Sequence, residues 1–308
     1  MCLMRHALKK FFSRRYDGYP TLPYYHAEDL GIKEERFTFK SQHNWALSGS
    51  RYFKKEEGFK GVIVFFHGLG DGRASYIKTI SLLANEGYLV YAYDNTGCME
   101  SEGNKIYSLE HSAIDQEYFF KWLETDPKAQ GLKRYSLGHS WGGYGAAISA
   151  KKEYKIEKVV DIAGFDDPLD IVLEKFPKAL KKILRPLALF DLKTFCWKYG
   201  CLKSSSILSK SDAKVLYIQG DKDTDVNIYQ GYEPLFKRFK DNPRFKFIIK
   251  EGRKHSVYKS KDAEDYVSKI VSKGILSSQS DKNIEMDIVR ATNENKELWN
   301  EIFKFLAD

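Results

Sequence analysis

Short, dense apolar runs alternate along this chain with longer stretches in which hydrophobic residues return at helical spacing. The apolar runs fall at 62–66, 89–93, 134–137, 159–163, 215–219 and 245–249, and each is closed within a few residues by Gly or Asp. Runs this short and this uniformly apolar suit strands buried on both faces. An earlier pair at 35–40 and 46–53 alternates more and predicts two further strands. Helical patterns occupy 76–85, 109–124, 142–150 and 286–306. The alternation predicts an α/β protein, with a mainly parallel sheet flanked by helices.

One stretch breaks the rhythm. Residues 164–213 are too many for a simple crossover and too apolar for a free loop, with Pro177 and Pro186 as expected breaks. They are read as a helical cap inserted over the carboxyl ends of the strands; the plainer alternative is a long pair of packing helices. The expected organisation is an N-terminal basic extension over 1–34, a core made of 35–163 and 214–308, and the insertion 164–213.

Composition narrows the class. The 308 residues are 43% hydrophobic and 15% aromatic, with 22 Gly and 8 Pro, which excludes collagen-like and wholly disordered chains. No apolar run approaches the roughly 20 residues of a membrane-spanning helix. Lys and Arg exceed Asp and Glu by 50 to 42, a formal charge of +8. The lysines alternate with acids, as on solvated faces, so no nucleic-acid partner is expected. Peripheral contact with an anionic membrane surface is the one membrane role left open, since the basic, amphipathic first residues lack the apolar core of a secretory signal. Cys2, Cys98, Cys196 and Cys201 form no C-x-x-C pair and no zinc-finger spacing, so reduced thiols in a cytoplasm and no metal site are expected.

The chemistry concentrates at strand ends. Gly138-His139-Ser140-Trp141-Gly142 is a G-x-S-x-G sequence between an apolar strand and a helix rich in small residues. That is the setting of a nucleophile elbow, where a sharp turn lifts a serine above the sheet at a helix N-terminus. Ser140 is therefore the candidate nucleophile. A serine needs a base, and His255 is the one histidine after Ser140, placed just beyond the last strand. His67 reads as a structural hydrogen-bonder and His139 as pointing away from Ser140. The base needs an acid to fix its tautomer. Asp223 is the choice, with Asp221 and Asp225 as rivals and Asp166 and Asp167 as a second place for an acid. The negative oxygen of an acyl intermediate needs two N–H donors, expected from the backbone of Trp141 and of Leu69 in the Gly-rich turn 67–72. That turn matches no phosphate-binding pattern, so no nucleotide is expected.

Four motifs in this order, His67-Gly68-Leu69-Gly70, the elbow at Ser140, Gly220-x-x-Asp223-x-x-Val226 and Gly252-x-x-His255, resemble the α/β-hydrolase superfamily over roughly 37–306. The closest look is to bacterial hydrolases of the monoacylglycerol lipase, lysophospholipase and serine-aminopeptidase-like type. The loop from Asp94 to Gly103 is similar to that group's D-x-R-G-x-G-x-S-x-G, with Thr96 in place of the arginine and Met99 in place of a glycine. The resemblance implies an α/β-hydrolase fold with a cap. It also implies acyl-enzyme chemistry on Ser140, His255 and Asp223, with no metal or organic cofactor. The expected substrate is a small-molecule acyl ester, and Leu184, Leu187, Leu189, Phe190, Phe195 and Trp197 are candidates for an acyl channel or for the cap's own core. A peptidase would need an acid such as Asp170, Glu174 or Asp191 to hold a substrate amine. A non-catalytic binding protein of this fold would be expected to lack a triad member.

Overall fold

The computed structural model describes residues 12, 14–18, 24–174, 176–196, 199–272 and 286–308, without the side chains of 178–179, 191–196 and 271–272. Eight strands form one sheet: β1 Lys33–Lys40, β2 Ala46–Phe53, β3 Val62–Phe66, β4 Leu89–Tyr93, β5 Arg134–His139, β6 Ile156–Ile162, β7 Lys214–Gly220 and β8 Phe245–Lys250. Their spatial order is β1-β2-β4-β3-β5-β6-β7-β8. β2 runs antiparallel to both β1 and β4, and every pair from β4 through β8 is parallel.

The period of two explains the two-sided core. In β3, Ile63 and Phe65 enter one apolar cluster while Val62, Val64 and Phe66 enter the other. In β4, Val90 and Ala92 take the first side and Leu89, Tyr91 and Tyr93 the second. Helix α1 (Ile77–Asn85) covers the first face through Ile80 and Leu83, and α2 (Ser112–Leu123) the second through Phe119, Phe120 and Leu123. Helix α3 (Trp141–Ile148) follows β5 and packs on the second face with Ala146 and Ala147.

Among the described residues three helices lie between β6 and β7, α4 Pro168–Leu173, α5 Lys178–Cys196 and α6 Ser204–Leu208. Pro177 marks the gap before α5 as expected, but Pro186 lies inside α5 and does not end it. Leu184 and Ala188 of α5 meet Leu169 and Leu173 of α4 in a small core of their own. Helix α7 (Tyr232–Phe239) connects β7 to β8. After β8 come α8 (Lys261–Ser272), α9 (Ile288–Ala291) and α10 (Lys296–Ala307), where a single final helix was expected. Asp287 and Asn295 accept backbone N–H bonds as N-caps and start α9 and α10 separately. At the other end, β1 begins at Lys33, and Ala27 and Ile32 are buried in the first core cluster. The body of the protein thus starts before residue 35.

Topology places the site. From β3 the chain steps to β4 on one side, then crosses back to β5 on the other. The loops after β3 and β5 therefore part at the strands' carboxyl ends and leave a crevice between them, the usual ligand position in open α/β sheets.

Candidate active site

Ser140 sits between β5 and α3 with φ +59° and ψ −120°, a backbone conformation that L-residues rarely adopt. The surroundings hold it there. Its N–H donates to Ile162 O at 2.8 Å and its carbonyl accepts from Tyr144 N–H at 3.1 Å. The flanking glycines permit the turn: a Cβ on Gly138 would stand 2.0 Å from Gly142 O, and one on Gly142 would stand 1.9 Å from Phe66 O. Small residues are obligatory here because the elbow's two arms and β3 approach backbone to backbone.

His255 Nδ1 lies 2.8 Å from Asp223 Oδ2, so the carboxylate accepts the ring proton. The other oxygen, Oδ1, accepts the backbone N–H groups of Asp225 and Val226 at 2.9 and 3.0 Å. Asp223 is buried and held from both sides. The rival acids are spent elsewhere. Asp221 faces Lys222, Asp166 accepts Ser205 N–H, and Asp167 caps α4 and pairs with Arg185 and Lys203. Asp225 is exposed at the loop's surface. Burial pushes the His255 imidazolium down, but the hydrogen bond and charge of Asp223 outweigh it, helped by Asp225 and Glu264, so its pKa lies above the ordinary value.

His255 reaches the elbow from the loop after β8. Its carbonyl oxygen lies 3.1 Å from His139 Nε2, and the two imidazole rings are 4.7 Å apart. Among the described residues no hydrogen bond joins Ser140 Oγ to His255. Arg253 and the N–H of Lys254 bind Glu264 of α8 at 3.0 and 3.1 Å and tie down the loop that carries the base. Neither Glu264 nor its role was visible in the sequence, because its partner is eleven residues away.

The two candidate donors come from the neighbouring loops. Trp141 is the first residue of α3, so its N–H has no partner within the helix. Among the described residues no acceptor meets the N–H of Leu69 or Trp141. The Leu69 peptide is held through its other end: His67 Nδ1 lies 2.8 Å from Gly68 O, while Asn95 N–H donates to His67 Nε2 at 3.0 Å. Because Nε2 is the acceptor, Nδ1 carries the proton and donates to the carbonyl. In a trans peptide the N–H points opposite the C=O, so this bond also aims the Leu69 N–H. His67 is a structural hydrogen-bonder, as read from its position, and its partner peptide carries the candidate Leu69 donor.

The loop after β4 shows what replaces its missing arginine. Thr96 Oγ1 and N–H both donate to buried Asp115, at 2.7 and 2.8 Å. Asp94 instead receives the buried guanidinium of Arg73, an ion pair the sequence pattern did not mark. Met99 takes φ +44° and its N–H donates to Tyr16 O.

An apolar cluster lies against the elbow: Trp141, Leu109, Ile114, Phe165 and Val226, with Leu69, Ile171 and Val172 partly buried beside it. Of the residues expected to line a channel, Leu184 and Leu189 pack in the insertion's own core, and Leu187 and Phe190 are exposed. The side chains of Phe195 and Asp191, and all of Trp197, lie outside the described residues. Asp223, Asp225 and His255 present ligand atoms within 4.8 Å of one another. Asp223 and His255 are already bonded to each other, so the trio reads as an acid–base pair rather than a metal centre. Cys98 is buried and Cys201 half-buried.

This sheet order and these strand-end loops are those of the α/β-hydrolase fold. Residues 58–193 match the family described as serine aminopeptidase, S33. Human monoglyceride lipase is 28% identical over 100 residues, 32% of this chain and 33% of the lipase, so the match spans about a third of that relative's length. Among solved structures, an esterase of Pyrococcus furiosus superposes with a TM-score of 0.60 at 19% identity, covering 85% of this chain and 97% of the esterase. The acylaminoacyl peptidase of Pyrococcus horikoshii gives 0.54 at 17% identity, covering 73% of this chain and 38% of that one. Among the described residues no helix is long and apolar enough to cross a membrane.

Proposed function

We propose that this protein is a serine hydrolase that cleaves carboxylic esters with lipid-like acyl groups through Ser140, His255 and Asp223. The observation that carries the reading is the 2.8 Å Asp223–His255 bond beside a serine held at φ +59° at the start of a helix. In this mechanism His255 Nε2 takes the Ser140 hydroxyl proton as Oγ attacks the acyl carbonyl. The carbonyl oxygen becomes an oxyanion met by the N–H groups of Leu69 and Trp141. The imidazolium, stabilised by Asp223, then protonates the departing alcohol, leaving an acyl-Ser140 ester. Water enters, gives its proton to His255 and attacks the acyl carbon, and Ser140 leaves with that proton. The products are one carboxylic acid and one alcohol, and neither metal nor organic cofactor is needed.

The named functions of the relatives support a hydrolase, and the apolar cluster beside Trp141 suits an acyl chain. In our reading the insertion 164–213 is a cap above the site. The peptidase alternative draws on the family description but gains little from the insertion's acids. Asp170 is paired with Arg185 and Glu174 with Lys181, so neither is left to hold a substrate amine. The test is hydrolysis of p-nitrophenyl esters from acetyl to palmitoyl by wild type and Ser140→Ala. Activity lost in the variant, with a preference for the longer chains, is the expected result. A folded wild type inactive at every length overturns the ester reading, and aminoacyl amides would then be the substrates to try.

A further inference from the structure

The proposed site is assembled from four loops, after β3, β5, β7 and β8, and one chain of hydrogen bonds links those after β3, β5 and β8. The N–H of Gly68 donates to Tyr76 Oη at 3.2 Å. Tyr76 Oη lies 3.0 Å from His139 Nδ1, and His139 Nε2 lies 3.1 Å from the carbonyl oxygen of His255. The direction of every proton follows from the ends. A backbone N–H can only donate and a carbonyl can only accept, so Tyr76 gives its hydroxyl proton to Nδ1 and His139 carries its own on Nε2. Tyr76 and His139 are both buried. Burial, and then repulsion from His255, hold the His139 imidazole in the neutral form that this chain requires.

The packing is built around these bonds. A Cβ on Gly68 would come within 2.6 Å of Tyr76 Oη, so the loop after β3 can approach the hydroxyl because residue 68 is glycine. The Tyr258 ring, three residues past the base, lies 4.8 Å from the His139 ring. Gly68 is thus gripped twice, at its carbonyl by His67 and at its N–H by Tyr76. The peptide that carries the Leu69 N–H is the next one along. At the far end the same chain fixes the backbone of His255, whose side chain Asp223 fixes separately.

Resting on the esterase reading above, we propose that Tyr76 and His139 are positioning residues. Their hydrogen-bond chain sets the Leu69 donor and the His255 backbone in register with Ser140. Neither touches the reacting atoms. Their effect falls on the oxyanion and on proton transfer, which exist after substrate has bound, so kcat carries it and KM does not.

Tyr76→Phe removes one hydroxyl and keeps the ring. Its kcat on a p-nitrophenyl ester should fall about tenfold or more, short of the roughly 100- to 1000-fold loss of a whole oxyanion donor, with KM within about threefold. A boronic-acid analogue of the tetrahedral intermediate should lose affinity in step with kcat. At position 139, Gln keeps an N–H near Nε2 and Asn keeps an acceptor near Nδ1, so each should retain more rate than His139→Ala. Because the links are in series, Tyr76→Phe combined with His139→Ala should cost about what the worse single variant costs, not the product of the two. Titration of reactive Ser140 with a fluorophosphonate counts correctly folded sites in each variant.

The proposal is overturned if Tyr76→Phe keeps kcat within about twofold, if the two losses multiply, or if the loss of kcat equals the loss of titratable sites. An inactive wild type would instead defeat the esterase reading, which separates the two failures.

Discussion

The rings of His139 and His255 stand 4.7 Å apart, yet their surroundings push them in opposite directions. Burial drives both towards the neutral form. For His139 the bond to the His255 carbonyl answers it only weakly, whereas Asp223 reverses it for His255. The consequence for rate has a definite sign. A general base works deprotonated, so kcat/KM should fall as pH drops through the His255 pKa, with a midpoint above the ordinary value of about 6.5. Asp223→Asn removes the raising influence. The acid limb should then move down, and kcat should fall about ten-thousandfold as the tautomer is lost. Asp225→Asn removes one exposed charge, so the limb should shift slightly the same way without a comparable loss of rate. A pH–rate profile of the three proteins checks both statements; a limb that stays in place in Asp223→Asn would remove that carboxylate from the role.

Two glycines of the site motifs serve different needs at the scale of the element. Gly252 has φ +67° and open space around it, so Asn, which tolerates that conformation, should be accepted there with activity kept. Gly142 has no room: its Cβ would meet Phe66 O at 1.9 Å, and neither backbone can yield without moving β3 or α3. Gly142→Ala should cost about 3 kcal/mol or more, at or beyond the top of the usual range for overpacking, and should displace the elbow. Thermal unfolding and a Ser140 titration would show both effects. The same distinction governs what could be read from the chain. β2, β3 and β4 fall on their expected residues, β3 and β4 because an apolar run bounded by turn residues carries its own ends and β2 because its alternation does. The final helical pattern divides at Asp287 and Asn295, two cap residues whose signal was present in the sequence. Pro186 misled because a proline breaks a helix on average, whereas here it lies on an exposed position of α5, which is held by Leu184 and Ala188 on its other side. The pairing of Asp223 with His255 and the tight turn at Ser140 were legible from order and strand context alone. Tyr76, Arg73 and Glu264 were not, since each matters through a partner that only the folded sheet brings near.

For the molecule as a whole, the charge of +8 gains meaning from where large apolar side chains are exposed. Four of the large hydrophobic side chains that remain exposed lie on α5: Leu180, Ile183, Leu187 and Phe190, with Ile183 63% exposed. Their spacing of three, four and three residues sets them along one face, roughly a quarter-turn around the helix from Leu184 and Ala188, which are buried. Lys182 is exposed beside them. An apolar stripe with a basic flank on a cationic protein matches the boundary of an anionic bilayer, and an enzyme for lipid-like esters would find its substrate there. We accordingly propose that α5 rests on anionic membrane surfaces. Cosedimentation with vesicles containing phosphatidylserine should show binding that weakens as salt rises and is weaker on neutral vesicles. Ile183→Asp, on an exposed face, should leave folding and hydrolysis of a water-soluble ester intact while reducing both vesicle binding and hydrolysis of ester presented in vesicles. Equal binding by Ile183→Asp and wild type would leave the stripe without this role. A parallel loss on soluble and membrane-presented ester would place Ile183 in the path to Ser140 instead.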